Sequence, residues 1–169
     1  ALYDAVKYIT SNNIQGDIVE CGVWRGGSTM IAALTLEKMN DTSRHIYLYD
    51  TFAGMSEPTV HDISVNGKSS TEKWKGLQQG NINTWDYASR EDVEANVYST
   101  GYPKELLTFV EGKVEDTIPK VIPEKIALLR LDTDWYESTA HELEHLFPRL
   151  VKGGVLIIDD YGHWQGARK

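Results

Sequence analysis

Apolar residues recur along the chain in two rhythms, one of about 3.6 residues and one of two or fewer, and the two alternate. Leu2, Ala5, Val6 and Ile9 fall at helical spacing and predict a helix at the start of the chain. Asp17 to Gly22 is a short β-rich run closed by glycine, and it predicts a strand. A loop from Val23 to Gly27 follows, with Ser28 expected to cap a helix that reaches Met39. The alternation continues with a strand over His45 to Asp50, a helix over Glu91 to Thr100 and a strand over Leu107 to Gly112. Ser89 with Asp92 three residues on resembles a capping box, and Gly101 suits the other end of that helix.

A further strand, Ile126 to Asp132, leads into a helix expected to carry Ala140, Leu143, Leu146, Phe147 and Leu150 as one apolar stripe and to end at Lys152-Gly153-Gly154. Val155 to Ile158 is continuously apolar, which predicts a strand covered on both faces of a parallel sheet. Strands alternating with helices in this way define an α/β chain with a Rossmann-like, doubly wound, mostly parallel sheet, read here as a single domain over residues 1–169. Residues 51–88 break the rhythm. They are polar and turn-rich, with Trp74 and Trp85 interspersed, and we expect a lid or substrate-binding insertion, against the alternative of a loose loop.

Composition narrows the function classes. At 169 residues, with 41% hydrophobic and 25% charged positions, the chain has the make-up of one globular domain. A net charge of -8 opposes a broad phosphate-binding surface, so no nucleic-acid partner is expected. The longest apolar runs are far shorter than the roughly 20 residues a bilayer requires, so no membrane span is expected. The single cysteine, Cys21, excludes an intrachain disulfide and fits a reducing compartment. No basic leader or apolar signal region precedes Thr10, and a cytoplasmic location is expected.

Ligands of open α/β sheets bind at the carboxyl ends of the strands. Here those ends read Glu20-Cys21-Gly22, Asp50, Glu111-Gly112, Asp132 with Asp134 beyond it, and Asp159-Asp160. So many carboxylates at one edge call for a cation or a hydrogen-bond-donating ligand. The segment Gly22-Val23-Trp24-Arg25-Gly26-Gly27-Ser28 does not match the dinucleotide fingerprint, and a phosphate would meet Glu20. S-adenosylmethionine, a sulfonium with no phosphate, fits better, with Asp50 as acceptor for its ribose hydroxyls. Asp132, Asp159 and Asp160 make a hard oxygen set suited to Mg²⁺, although any one of them could instead cap a turn.

These residues, together with Tyr49-Asp50-Thr51-Phe52-Ala53-Gly54-Met55, Leu129 to Thr139 and Gly153 to Tyr161, resemble the macrocin O-methyltransferase family, the metal-dependent S-adenosylmethionine enzymes that methylate sugar hydroxyls. The resemblance implies a fold of methyltransferase type and a Mg²⁺-dependent methyl transfer to a hydroxyl of a sugar or other small polyhydroxylated acceptor. It implies Glu20, Gly22 and Ser28 at the methionine end of the cofactor, Asp50 at the ribose, Glu111 and Gly112 near the adenine, and Thr51 among the cofactor-binding residues. It implies Asp132, Asp159 and Asp160 as metal ligands, with Asp132 also the general base. Members of the family carry more chain before the first helix and a further helix and antiparallel hairpin after the fifth strand. We therefore expect the sequence to be incomplete at one or both ends, and a homo-oligomer is a further expectation.

Other readings remain open at this level. His141-Glu142-Leu143-Glu144-His145 satisfies the H-E-x-x-H zinc-hydrolase pattern, with Glu142 as base, or else carries solvated helix-surface histidines. His163 lies on the ligand side and is a catalytic candidate for proton transfer, or an ordinary loop histidine. Cys21 is expected to pack against the sheet, and Arg25 to pair either with a cofactor carboxylate or with nearby acids. A module that binds S-adenosylmethionine without chemistry is the alternative of a different class.

Overall fold

The computed structural model describes residues 1–168. In chain order the elements are α1 (Leu2–Ser11), β1 (Asp17–Cys21), α2 (Gly27–Lys38), β2 (Ile46–Asp50), α3 (Thr71–Leu77), β3 (Gln78–Gln79), β4 (Ile82–Asn83), α4 (Arg90–Tyr98), β5 (Leu107–Glu111), α5 (Val114–Thr117), β6 (Ile126–Leu131), α6 (Tyr136–Leu146) and β7 (Leu150–Ile158). Five strands form one parallel sheet in the order β5-β2-β1-β6-β7. The chain winds outward from β1 through β2 to β5, then returns to β6 and β7 on the other side. The topological switch point therefore lies between β1 and β6, where a doubly wound sheet opens a crevice beyond its strand ends.

The period of two along the strands divides the core between the two faces. Ile18, Ile46, Leu48 and Leu128 pack beneath Ala5, Val6 and Ile9 of α1, Ala32, Ala33 and Leu36 of α2, and Val93 and Val97 of α4. Their strand neighbours Val19, Tyr49, Leu129 and Leu131 pack on Val114, Ile118 and Leu146 at the opposite face. Ser89 Oγ accepts the Asp92 N–H at 3.2 Å and so caps α4, as the spacing predicts. The cap of α2 is not Ser28 but Gly26, at φ 83° with no side-chain bond, while Ser28 lies within the helix.

The last third departs from the periodicity. Helix α6 stops at Leu146 because Pro148 follows, lacking the N–H a further turn would use. Its buried face is Ser138, Thr139, Glu142 and Leu146 rather than the expected stripe, and Phe147 is 50% exposed. Leu150 to Gly154 belong to β7, not to the helix end. Leu150 pairs with Ile126 and Val155 with Leu128, so extra residues bulge between them, with Gly153 at φ +85°. Val155 to Ile158 are partly exposed, on the edge strand of the sheet.

Residues between β2 and α4 are folded. They contain α3 and the antiparallel pair β3-β4, close on themselves through the bridge Ile63 to Ser69, and reach the last described residues through the bridge Ser64 to Trp164. Trp85 from this segment packs with Trp135 and Trp164, the ring centroids 5.7 and 6.2 Å away, with Met55, Trp74 and Leu77 around them. The Trp135 indole N–H donates to Ser56 O at 2.9 Å. Gly54, at φ +83°, lets this segment pass Asn83, whose carbonyl oxygen would lie 1.8 Å from an added Cβ.

Candidate functional site

At the switch point Gly22 N donates to Tyr49 O at 2.9 Å, and Asp132 N donates to Cys21 O at 2.8 Å. Gly22 stands at φ +80°, and a Cβ there would lie 2.0 Å from Asp132 O, so only glycine permits the tips of β1 and β6 to pass. A cleft of about 240 Å³ opens above this crossing. Asp50, Thr51 and Gly112 line one end, Asp132, Thr133 and Asp134 the other, and Met55, Ser56 and Asp86 of the segment between β2 and α4 border it.

Asp50 organises the first end. Its Oδ2 accepts Val23 N at 2.7 Å and Trp24 N at 3.0 Å, and its Oδ1 accepts Phe52 N at 2.8 Å. One carboxylate thereby holds the turn after β1 and the turn after β2, each of which carries a bulky residue in the left-handed region, Trp24 at φ 48° and Phe52 at φ 50°. Gly112 N donates to Asp50 O at 2.9 Å, which brings the end of β5 to the same place. The Glu111 side chain turns outward, is 56% exposed, and meets Arg90 at 3.2 Å.

Acids crowd the other end. Asp132, Asp134 and Asp160 each offer a carboxylate oxygen within 4.8 Å of the others. Burial, Asp159 and Asp160 push the Asp132 carboxyl up to about 8 against the pull of Arg130. Burial and the neighbouring Asp160 push Asp134 up to about 10. Asp160 Oδ2 is buried with no hydrogen-bond partner. Acids that resist ionisation together, and a buried oxygen left unsatisfied, are what a hard divalent cation would relieve, so the donor set fits Mg²⁺.

The structure places the expected site residues in three settings. Gly22, Asp50, Thr51, Gly112 and Asp132 line the cleft. Asp160 joins Asp132 with Asp134 as the third acid, whereas Asp159 Oδ2 meets Arg130 Nη2 at 3.2 Å. Glu20 and Ser28 lie outside the cleft. Glu20 is 3% exposed and accepts from Thr29 Oγ1 and, at 2.8 Å, from Arg130 Nη1. Burial raises its carboxyl while Arg130 and Thr29 pull it down. His163 is exposed, its ring set edge-on against Trp164 at 5.0 Å.

Arg130 is the residue to which sequence reasoning gave no role. Besides Glu20 and Asp159 it meets Asp132 Oδ2 at 2.8 Å, so one guanidinium ties the ends of β1, β6 and β7. A charged residue inside an apolar strand was the available signal. Asp134 was visible as the second acid of Asp132-Thr133-Asp134, but its left-handed backbone, φ 67°, which turns it into the cluster, was not. The H-E-x-x-H segment does not form a zinc site. Glu142 is fully buried, His141 Nε2 lies 2.9 Å from Ile118 O, and the two histidine rings stack edge-on at 4.3 Å. Among the described residues the one group of metal-ligating side chains is the acidic cluster.

Fold and site together define a doubly wound α/β domain whose switch-point cleft runs from a hydrogen-bond-accepting end to an acidic, cation-suited end. The family model of macrocin-O-methyltransferase (TylF) matches residues 1–169, and the chain belongs to that family. It is 35% identical over 156 residues to the 8-demethyl-8-(2,3-dimethoxy-alpha-L-rhamnosyl)-tetracenomycin-C 4'-O-methyltransferase of Streptomyces olivaceus, covering 92% of this chain and 57% of that one. It is 32% identical over 160 residues to the mycinamicin III 3''-O-methyltransferase of Micromonospora griseorubida, covering 95% and 61%. The chain thus spans roughly three fifths of the length of these relatives. The structure of the O-methyltransferase NovP superposes with TM-score 0.79 at 29% identity, over 99% of this chain and 66% of that one. The calicheamicin methyltransferase CalS11 superposes with TM-score 0.69 at 23% identity, over 98% and 66%, and supports the fold. Among the described residues no helix is long and apolar enough to cross a membrane.

Proposed function

We propose that this chain carries the cofactor and metal sites of an enzyme that moves a methyl group from S-adenosylmethionine to a hydroxyl of a sugar on a small glycosylated acceptor, with Mg²⁺ required. The observation that carries this reading is the single cleft joining Asp50 and Gly112 to Asp132 and Asp134. The curated relatives named above are O-methyltransferases with different stated positions, 4' on a rhamnosyl-bearing tetracenomycin and 3'' on mycinamicin III, which supports the reaction class more strongly than any one acceptor.

In this reading Asp50 and the Gly112 turn receive the ribose and adenine, and Gly22 keeps the floor low enough for the donor to lie across the strand ends. Asp132, Asp134 and Asp160 would hold Mg²⁺, which when bound supplies positive charge to grip and acidify an acceptor hydroxyl. Transfer breaks the carbon–sulfur bond and forms the carbon–oxygen bond, and the hydroxyl proton must go to a carboxylate at this end. Asp132, the base expected from sequence, is already engaged by Arg130, while Asp134 makes no ion pair among the described residues. We therefore assign proton acceptance to Asp134, whose carboxyl a bound cation would keep ionised, and cation and acceptor alignment to Asp132. Proximity and charge stabilisation supply most of the acceleration. We assign no catalytic role to His163.

The reading is tested by assaying methylated product with a panel of rhamnosylated and other glycosylated acceptors, in Mg²⁺ and in chelator. Product only with Mg²⁺ is expected. Product undiminished by chelator would remove the metal, and binding of S-adenosylmethionine with no product from any acceptor would favour a non-catalytic module.

A further inference from the structure

Glu142 is a carboxyl group sealed inside the domain, 0% exposed, on the face of α6 that packs against β6. Among the described residues no lysine, arginine or histidine pairs with it. Cys21, whose thiol is a side-chain hydrogen-bond partner of Glu142, and the apolar Leu129, Leu131 and Leu146 clustered with it occupy this side of the sheet, where a methionine or leucine would pack without the cost of burying a polar group. What it touches is specific. Thr133 Oγ1 donates to Glu142 Oε1 at 3.0 Å and Oε2 at 3.2 Å. Thr133 is the residue between Asp132 and Asp134.

The turn that Thr133 anchors is tight and strained. Trp135 N donates to Thr133 O at 2.8 Å, and Asp134 between them sits at φ 67°. Ser138 Oγ donates to Trp135 O at 3.1 Å, and Asp132 N is fixed on Cys21 O at 2.8 Å. Thr133 therefore reaches back into the interior, where Glu142 is what it reaches, while Asp132 is held separately by Arg130. We infer that Glu142 is a positioning residue, whose buried carboxyl clamps Thr133 and so aims Asp132 and Asp134 together into the cleft. The inference deepens the proposed function and rests on its reading of the acidic cluster as a cation site. The histidines on either side of Glu142 take no part in it.

Three single variants and one double variant test it, each measured for melting temperature in chelator, for Mg²⁺ affinity by calorimetry, and for amide hydrogen exchange across residues 131–136. Glu142→Met is expected to melt at or above the wild type, yet to exchange at least tenfold faster at 133–135 and to bind Mg²⁺ at least tenfold more weakly. Glu142→Gln, whose amide oxygen still accepts from Thr133, is expected to keep both properties. Thr133→Val should reproduce the exchange and Mg²⁺ changes of the Met variant with Glu142 in place, and the double variant should be no worse than either single one in those two properties. Should Glu142→Met fail to fold, Thr133→Val against Glu142→Gln decides the question.

Unchanged exchange at 133–135 in Glu142→Met and Thr133→Val would overturn the inference. So would faster exchange throughout the domain with a lower melting temperature, the pattern of a merely structural residue. If the wild type binds no Mg²⁺, the reading of the cluster fails, and exchange alone still decides whether Glu142 positions the turn.

Discussion

Asp62 Oδ1 accepts the backbone N–H of Tyr136 at 2.8 Å, so a residue of the segment between β2 and α4 caps the first turn of α6. Helix α6 has no cap of its own, because the preceding residue is Trp135. Asp62 is 1% exposed, and its Oδ2 accepts Thr59 N at 2.6 Å. The same carboxylate thus folds this segment and ties it to the residues that follow the acidic cluster, which is how a long polar stretch becomes part of the site. Replacing Asp62 with alanine removes these acceptors. We expect a loss of about 1–2 kcal/mol in urea unfolding, in the range of a lost helix cap, with faster proteolysis between residues 56 and 70. Unchanged stability and proteolysis would mean that the segment is held elsewhere.

Arg130 is expected to be as important to the fold as to the site. Removing it as Arg130→Met leaves Glu20 buried without its cation and frees Asp132 and Asp159 to repel one another. Breaking a buried pair in this way costs about 3 kcal/mol or more, which chemical denaturation would read directly. A loss below about 1 kcal/mol, the range of a surface pair, would show that Glu20 is readily satisfied without Arg130.

The acidic cluster predicts a pH signature. Asp132 at about 8 and Asp134 at about 10 retain protons well above the ordinary aspartate value of 3.8. Both are raised on folding, so their contribution to stability is complete below that ordinary value and is lost as pH rises through the folded values. In chelator the melting temperature should fall between pH 6 and pH 9. Mg²⁺ needs the ionised carboxylates, so its binding should release protons, strengthen with pH, and raise the melting temperature more at pH 8 than at pH 6. Calorimetry in buffers of different ionisation enthalpy would detect the released protons, and a pH-independent affinity with no proton release would contradict the arrangement.

The fold was readable because its signals are local. Alternating short apolar runs and helical stripes, with Ser89 before α4 and glycine at the tip of β1, give the five strands that form the parallel sheet. The reading failed where one signal had two meanings. Lys152-Gly153-Gly154 has the composition of a helix end, yet pairing with β6 draws it into a bulged strand, while Pro148 had already stopped the helix. Site composition was legible at the strand tips, but side-chain direction was not. Asp159 and Asp160 are adjacent in sequence, and only the structure separates one facing Arg130 from one facing Asp132 and Asp134. Glu142 escaped for the same reason, since a carboxylate on an amphipathic helix is ordinarily read as its wet side.

The most direct test of the central claim is a calorimetric titration of the chain with S-adenosylmethionine, alongside its Asp50→Ala variant. One saturable site of about micromolar affinity is expected, present with or without Mg²⁺, that Asp50→Ala weakens at least tenfold. No heat of binding from the wild-type chain, or equal affinity in the two proteins, would contradict it.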